Sequence, residues 1–132
     1  MDPQQDAWTQ VAKNAGPYPR EAFQFVQQGL GHTVERIAEY GGLQSDEGSH
    51  VSGQQLCLGL RDFAIQQYGL LAPTVLRHGN VLRTDDCGRI GFAMIEQGMM
   101  SKTAEDTLED FRGVYDFDEV FAREQILRQV RG

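Results

Sequence analysis

Hydrophobic residues recur at helical spacing along most of this chain. The clearest stripe lies between residues 19 and 40, where five apolar residues are three or four positions apart: Phe23, Val26, Leu30, Val34 and Ile37. Phe25 falls on the opposite side, which indicates either a second covered face or an exposed aromatic side chain. The pattern predicts a long helix that begins near Pro19 and ends before Gly41.

Capping residues mark the start of two further helices. Ser52 is followed three residues later by Gln55, a capping-box pattern, and it predicts a helix that ends at Gly69. Thr84 is followed by two aspartates, which favour the positive end of a helix dipole. We therefore predict a helix over residues 84–97 that is capped by Thr84.

Three shorter stretches are also predicted to be helical: residues 6–14, residues 70–78 and residues 116–131. An Asp-x-x-Glu pattern from Asp116 to Glu119 marks the start of the last one. Residues 43–50 are rich in Gly, Ser and acidic residues and are predicted to form a mobile loop. The chain is thus predicted to be mostly α, a single compact domain over residues 1–132 with about six helices.

Residues 99–117 leave two interpretations open. Thr103 and Asp106 are typical of the cap of a short helix. Alternatively, two short strands over residues 99–102 and 112–117 form a β-hairpin. Because three helices precede it, this hairpin would make the fold winged-helix-like.

The charge of the chain bears on its partners. The net charge is −7, from 12 basic and 19 acidic residues, and this opposes binding to a phosphate backbone. In a winged-helix arrangement, residues 84–97 would be the recognition helix, but it opens with acidic residues instead of the Arg, Lys, Asn or Gln that read bases. We therefore expect a protein partner and no nucleic acid.

A run of acidic residues between positions 103 and 119 is the candidate interaction surface. It has seven members: Glu105, Asp106, Glu109, Asp110, Asp116, Asp118 and Glu119. The run is either a solvated face or a docking surface for a basic partner.

The sequence also bears on where the protein is found. No apolar run approaches the ~20 residues of a membrane helix, and residues 1–6 are polar and acidic, unlike a secretory signal. We therefore expect a cytoplasmic protein without a membrane partner. Cys57 and Cys87 are predicted to be two small buried hydrophobic residues, because CxxC spacing is absent and disulfides are rare in that compartment.

Motifs that carry chemistry are not found in the sequence. His32, His50 and His78 fall on the back of a helix, in a loop and at a helix end, without the spacing of a metal site. Gly29-Leu30-Gly31 lies inside a helix and follows no strand, so it does not indicate a phosphate loop. No catalytic residue, cofactor or metal is predicted.

The first functional hypothesis is a non-enzymatic interaction or regulatory module with an acidic surface. The second is a small enzyme or ligand-binding domain, whose pocket would be assembled from His50, Arg20 and an aromatic residue such as Tyr18 or Tyr115. The second hypothesis requires a cavity of at least roughly 300 Å³.

Several segments together carry a family resemblance. They are Tyr18-Pro19-Arg20-Glu21-Ala22-Phe23, His50-Val51-Ser52-Gly53-Gln54-Gln55-Leu56, Met100-Ser101-Lys102-Thr103, Leu108-Glu109-Asp110-Phe111 and Val114-Tyr115-Asp116-Phe117. With them the chain resembles a small conserved hypothetical family of planctomycetes and verrucomicrobia from about Tyr18 to Phe121. The family has no assigned activity, so the resemblance implies none. It also implies an aromatic residue where Cys87 stands, which argues against a role for that thiol.

Overall fold

The computed structural model describes four parts of the chain: Gly16, residues 18–39, residues 51–96 and residues 107–131. They contain the helices α1 (Arg20–Glu39), α2 (Gly53–Tyr68), α3 (Ala72–His78), α4 (Thr84–Glu96), α5 (Phe117–Val120) and α6 (Arg123–Arg131). Short 3-10 helices cover Gly69–Leu71 and Leu108–Phe111, and none of the described residues is in a strand. The predicted mostly α class is confirmed. The predicted helix over residues 6–14 and the predicted loop over residues 43–50 lie outside the described parts.

Helices α1 and α2 run antiparallel and approach each other closely. A Cβ at Gly59 of α2 would overlap the side chain of Thr33 on α1 and would lie 2.8 Å from its Cγ2. Nearer the start of α1, Phe25 packs against Phe63 with 5.7 Å between the ring centroids, and also against Tyr68. Phe25 is buried, so the interpretation with a second covered face is the correct one.

The predicted ends of α2 are confirmed. The Ser52 hydroxyl accepts a hydrogen bond from the Gln55 backbone N–H at 3.1 Å, and the Gln55 side chain accepts one from the Ser52 N–H at 3.0 Å. These two bonds form the reciprocal capping box. At the other end Gly69 has a φ of 55°, a conformation that favours glycine, and its N–H bonds to the Ile65 carbonyl.

The start of α4 differs from the prediction. The Thr84 hydroxyl does not cap its own helix: it donates to the Phe111 carbonyl at 2.6 Å and accepts from the Val114 N–H at 3.1 Å. Instead, Asp86 Oδ2 accepts from the Arg83 N–H at 3.1 Å and so caps the first turn from within. The predicted Thr84 cap is wrong because distant backbone groups occupy the hydroxyl.

The last predicted helix is divided in two. Asp116 does cap a helix, since its Oδ1 accepts from the Asp118 N–H at 2.8 Å, but α5 has only four residues. Phe121 follows it and is buried against Phe117 and Tyr115, with ring centroids 5.1 and 6.4 Å apart. Packing of these rings turns the chain before α6 begins, and the sequence pattern alone does not reveal that turn.

The structure of residues 107–116 bears on the choice between a helix and a β-hairpin for residues 99–117. The 3-10 helix Leu108–Phe111 supports the helical one, although its first turn is capped at Thr107, whose N–H donates to Asp110 Oδ2 at 2.9 Å. The predicted cap residues, Thr103 and Asp106, and the first predicted strand lie outside the described parts.

The second predicted strand, residues 112–117, is not formed. These residues take turns and then enter α5. Their backbone N–H groups bond to α4 instead of to a partner strand: Gly113 donates to Asp85 Oδ1 at 3.3 Å, and Val114 donates to Thr84.

The buried apolar residues form one cluster, to which α1, α2 and α4 contribute most. Cys57 and Cys87 belong to it as free thiols, which confirms their predicted burial. Within the described ranges, no helix is both long and apolar enough to span a bilayer.

Candidate interaction surface

Five of the seven predicted acidic residues lie in the described parts of the chain, between Thr107 and Glu119. Four of them are exposed and Asp110 is half-buried. Glu105 and Asp106 lie outside these parts. We call residues 107–119 the acidic turn.

The five carboxylates of the acidic turn do different things. Glu109 pairs with Arg112 at 3.5 Å, and both side chains are exposed. Asp110 and Asp116 cap the adjacent helical turns. Asp118 and Glu119 form no ion pair with any other described residue, so their charges are available to a partner.

The acidic turn is held in place by contacts with two helices. Thr84 bonds to it twice, and Asp85 accepts from the Gly113 N–H. The Tyr115 hydroxyl donates to the Cys57 carbonyl of α2 at 2.8 Å. Phe111 lies against Gly88, where a Cβ would come within 2.7 Å of the ring. The acidic side chains are therefore presented from a fixed backbone.

Asp86 is the one buried carboxylate among the described residues, and the sequence pattern suggested only a dipole role for it. Its Oδ1 accepts from the Tyr18 hydroxyl and from Arg89 at 3.2 Å, while Oδ2 accepts from the N–H groups of Leu82 at 2.8 Å and Arg83. Asp86 lies three residues after Arg83, which is the spacing at which a side chain bonds to the N-cap backbone N–H in a capping box. This spacing is the sequence signal for its role.

The bonds of Asp86 give it a structural role. Both oxygens accept two hydrogen bonds each, so the carboxylate has no lone pair left for acid–base chemistry. Burial, and next the hydrogen bond to Asp86, raise the pKa of Tyr18 to about 12. Tyr18 therefore remains a protonated donor at neutral pH.

The two thiols are equally inert. Burial raises the pKa of Cys57 to about 12, and burial also raises the pKa of Cys87 well above its usual value. Because the thiolate is the nucleophile and the metal ligand, neither side chain supplies one at neutral pH. Among the residues that the structure describes, no three His, Cys, Asp or Glu side chains form a group that could hold a metal ion.

Asp62 joins three helices. It accepts hydrogen bonds from Arg36 of α1 at 3.2 Å, from Arg61 at 3.0 Å and from Gln129 of α6 at 3.0 Å. Both arginines also form ion pairs with it. This cluster of Asp62, Arg36, Arg61 and Gln129 is the Asp62 network, and three open clefts border it.

The first cleft, of about 300 Å³, is largely apolar and is lined by Thr33, Arg36, Ile37, Gln55, Leu58, Gly59 and Asp62. The second, of about 630 Å³, is lined by His32, Glu35, Arg36, Glu39, Asp62, Ile65, Gln66, Gln129 and Val130. The third, of about 590 Å³, is lined by Arg61, Glu119, Val120, Ala122, Glu124, Gln125 and Gln129. All three reach the size that the ligand-binding hypothesis requires.

The residues predicted for a ligand pocket do not line these clefts. The Tyr18 hydroxyl is bonded to Asp86 and the Tyr115 hydroxyl to the Cys57 carbonyl, so both are committed to the core. Arg20 is exposed at the start of α1, and His50 lies outside the described parts.

Comparisons with known proteins add no assignment. The chain matches no family model, no curated protein and no solved structure. Only the sequence and geometry of the chain itself therefore bear on its function.

Proposed function

We propose that this chain is a cytoplasmic protein-interaction module that docks a basic partner through the acidic turn. The observation that carries the proposal is the state of Asp118 and Glu119. Both are exposed, and neither is in an ion pair with a described residue. The segment before them is bonded to α4 through its backbone and to α2 through the Tyr115 hydroxyl.

Pre-organisation is the physical reason that such a surface binds well. A flexible acidic segment loses conformational entropy when a partner orders it, which lowers the affinity. Here Thr84 and Tyr115 already hold the backbone of the turn in one arrangement. Exposed charges of one sign also steer an oppositely charged partner and raise its association rate.

The proposal does not need the predicted winged-helix arrangement. The 3-10 helix and α5 carry most of the acidic residues of the acidic turn, so their exposure does not depend on the β-hairpin predicted for residues 99–117. Membership of the planctomycete and verrucomicrobial family remains a proposal of its own, and it implies no activity.

The test is affinity capture from lysate with the full chain and two charge-matched variants. Asp118→Lys reverses one free carboxylate of the acidic turn, and Glu21→Lys makes the same charge change in the first turn of α1. We expect Asp118→Lys to lower the recovery of basic proteins several-fold, because a rim charge of the wrong sign slows association. Glu21→Lys should leave recovery unchanged, and equal recovery with all three proteins would contradict the proposal.

A second variant tests pre-organisation separately from charge. Thr84→Val removes the hydroxyl that bonds to Phe111 and Val114 but leaves every carboxylate in place. We expect weaker capture together with faster amide hydrogen exchange over residues 111–116. Faster exchange with unchanged capture would show that the fixed backbone is irrelevant to binding.

A further inference from the structure

The three clefts that border the Asp62 network adjoin one another. The first and second clefts share Arg36 and Asp62 in their linings, and the second and third share Gln129. The row of neighbouring clefts therefore extends from the α1–α2 contact, past α6, to the edge of the acidic turn. We call it the α1/α2/α6 groove.

The Asp62 network gives the groove a closed polar floor. Asp62 accepts hydrogen bonds from both arginines and from Gln129, so these groups are already paired with one another. The floor thus offers few unpaired groups to a ligand. The side chains of the walls therefore determine which ligands the groove can bind.

The walls of the groove are acidic. Four carboxylates line it outside the floor: Glu35, Glu39, Glu119 and Glu124. All four are exposed and, within the described residues, none is in an ion pair. They outnumber the arginines of the floor, and one arginine charge is balanced by Asp62, so the groove as a whole is negative.

One end of the groove is apolar. The smallest cleft is lined by the Ile37 and Leu58 side chains and by Gly59, and Leu58 is 41% exposed although it lies in the middle of α2. Such a socket has room for an aliphatic side chain and favours it over a polar one, because its lining is largely apolar.

We propose that the α1/α2/α6 groove, in which four free carboxylates flank a closed polar floor beside the Leu58–Ile37 socket, binds an extended basic peptide segment that carries one aliphatic residue. The occupant is positively charged because the walls are negative, and for the same reason it is not a second copy of this chain, whose net charge is −7. The inference rests on the proposed function, since Glu119 belongs both to the acidic turn and to the end of the groove.

The experiment measures fluorescence anisotropy of two labelled peptides with the full chain. One peptide is Arg-Lys-Leu-Arg-Lys, and in the other a Ser replaces the Leu. We expect the Leu peptide to bind more tightly, and we expect salt to weaken both. No detectable binding of the Leu peptide, or equal affinity for the two peptides, would overturn the inference.

Matched variants locate the binding site. Glu35→Lys and Glu39→Lys should each weaken binding about two- to fivefold, whereas Glu21→Lys makes the same charge change on the same helix outside the groove and should leave affinity unchanged. Leu58→Ala should remove the preference for Leu over Ser, whereas Leu71→Ala, at a leucine that is 64% exposed and lines none of the three clefts, should keep it. Equal effects of Glu21→Lys and Glu35→Lys would show that only net charge matters and would end the proposal.

Asp118→Lys separates this inference from the proposed function, because Asp118 is in the acidic turn but does not line the groove. If Asp118→Lys abolishes capture of basic proteins while the groove variants bind the peptide normally, the groove inference is wrong and the acidic turn stands. If the groove variants lose the peptide while Asp118→Lys changes nothing, the acidic turn is wrong and the groove stands.

Discussion

The Tyr18 hydroxyl donates a hydrogen bond to Asp86 Oδ1, which joins two residues 68 positions apart in the chain. Asp86 also accepts from the backbone of Leu82 and Arg83 and from the Arg89 side chain. A single buried carboxylate therefore fixes the entry to α1 against the start of α4.

Removal of the Tyr18 hydroxyl tests this connection. We expect Tyr18→Phe to lower the free energy of unfolding by about 1–3 kcal/mol, because a bond to a charged group is lost while the carboxylate stays buried. Asp86→Ala should cost more, since it leaves the Leu82 and Arg83 N–H groups without their acceptor. Urea unfolding measures both, with exposed Asp118→Asn as a control that should change stability by less than ~0.5 kcal/mol. A Tyr18→Phe protein as stable as the parent would show that the bond contributes nothing.

Stability should fall at alkaline pH. Burial raises the pKa of Cys57 from 9.0 to about 12 and that of Tyr18 from 10.0 to about 12, so the folded protein keeps both protons where the unfolded chain releases them. The contribution is complete below about pH 9 and is lost progressively as the pH rises toward about 12. Urea unfolding from about pH 8 to about pH 11 should show this decline. Tyr18→Phe and Cys57→Ala should each make the decline shallower, while the buried Cys87 thiol maintains part of it. A flat profile in the parent protein would contradict the burial of these groups.

Two glycine-to-alanine substitutions should have opposite effects. A Cβ at Gly59 would overlap Thr33, whose hydroxyl is itself bonded to the Gly29 carbonyl at 2.7 Å and cannot easily give way. We expect Gly59→Ala to destabilise the protein by about 1–3 kcal/mol through overpacking. Gly31 lies on α1, two residues before Thr33, and nothing lies within 4 Å of the position that a Cβ would take there. Gly31→Ala should therefore stabilise the protein by about 0.5–1 kcal/mol. Thermal unfolding of the two variants measures the difference, and a Gly59→Ala protein at least as stable as the parent would refute the close approach at Gly59.

What the sequence predicts correctly here is set by local interactions. The stripe from Phe23 to Ile37 defines α1, and the Ser52–Gln55 capping box starts α2, because each signal and its consequence lie within a few residues. The break at Phe121 depends instead on which rings meet in space, and a helical pattern continues straight through it.

The misread features all depend on distant partners. The Thr84 hydroxyl bonds to a carbonyl 27 positions away, and this contact overrides the usual capping role. Asp62 draws on partners 26 and 67 positions away, so the groove around it has no sequence signature. The acidic run is visible in the sequence, but which of its carboxylates are free to act, such as Asp118, is decided by caps and ion pairs in three dimensions.

The close approach of α1 and α2 at Gly59 bears on how the groove responds when it is filled. The two helices are in contact there, and that contact forms part of the apolar end of the groove. The helices therefore cannot separate to admit a bulkier guest without breaking the core. Adjustment falls to long side chains that line the groove, such as Arg36, whose side chain is 46% exposed. The apolar end of the groove should therefore keep a fixed width and select a bound peptide by the size of its side chain. The carboxylates along the rest of the groove select the peptide by charge.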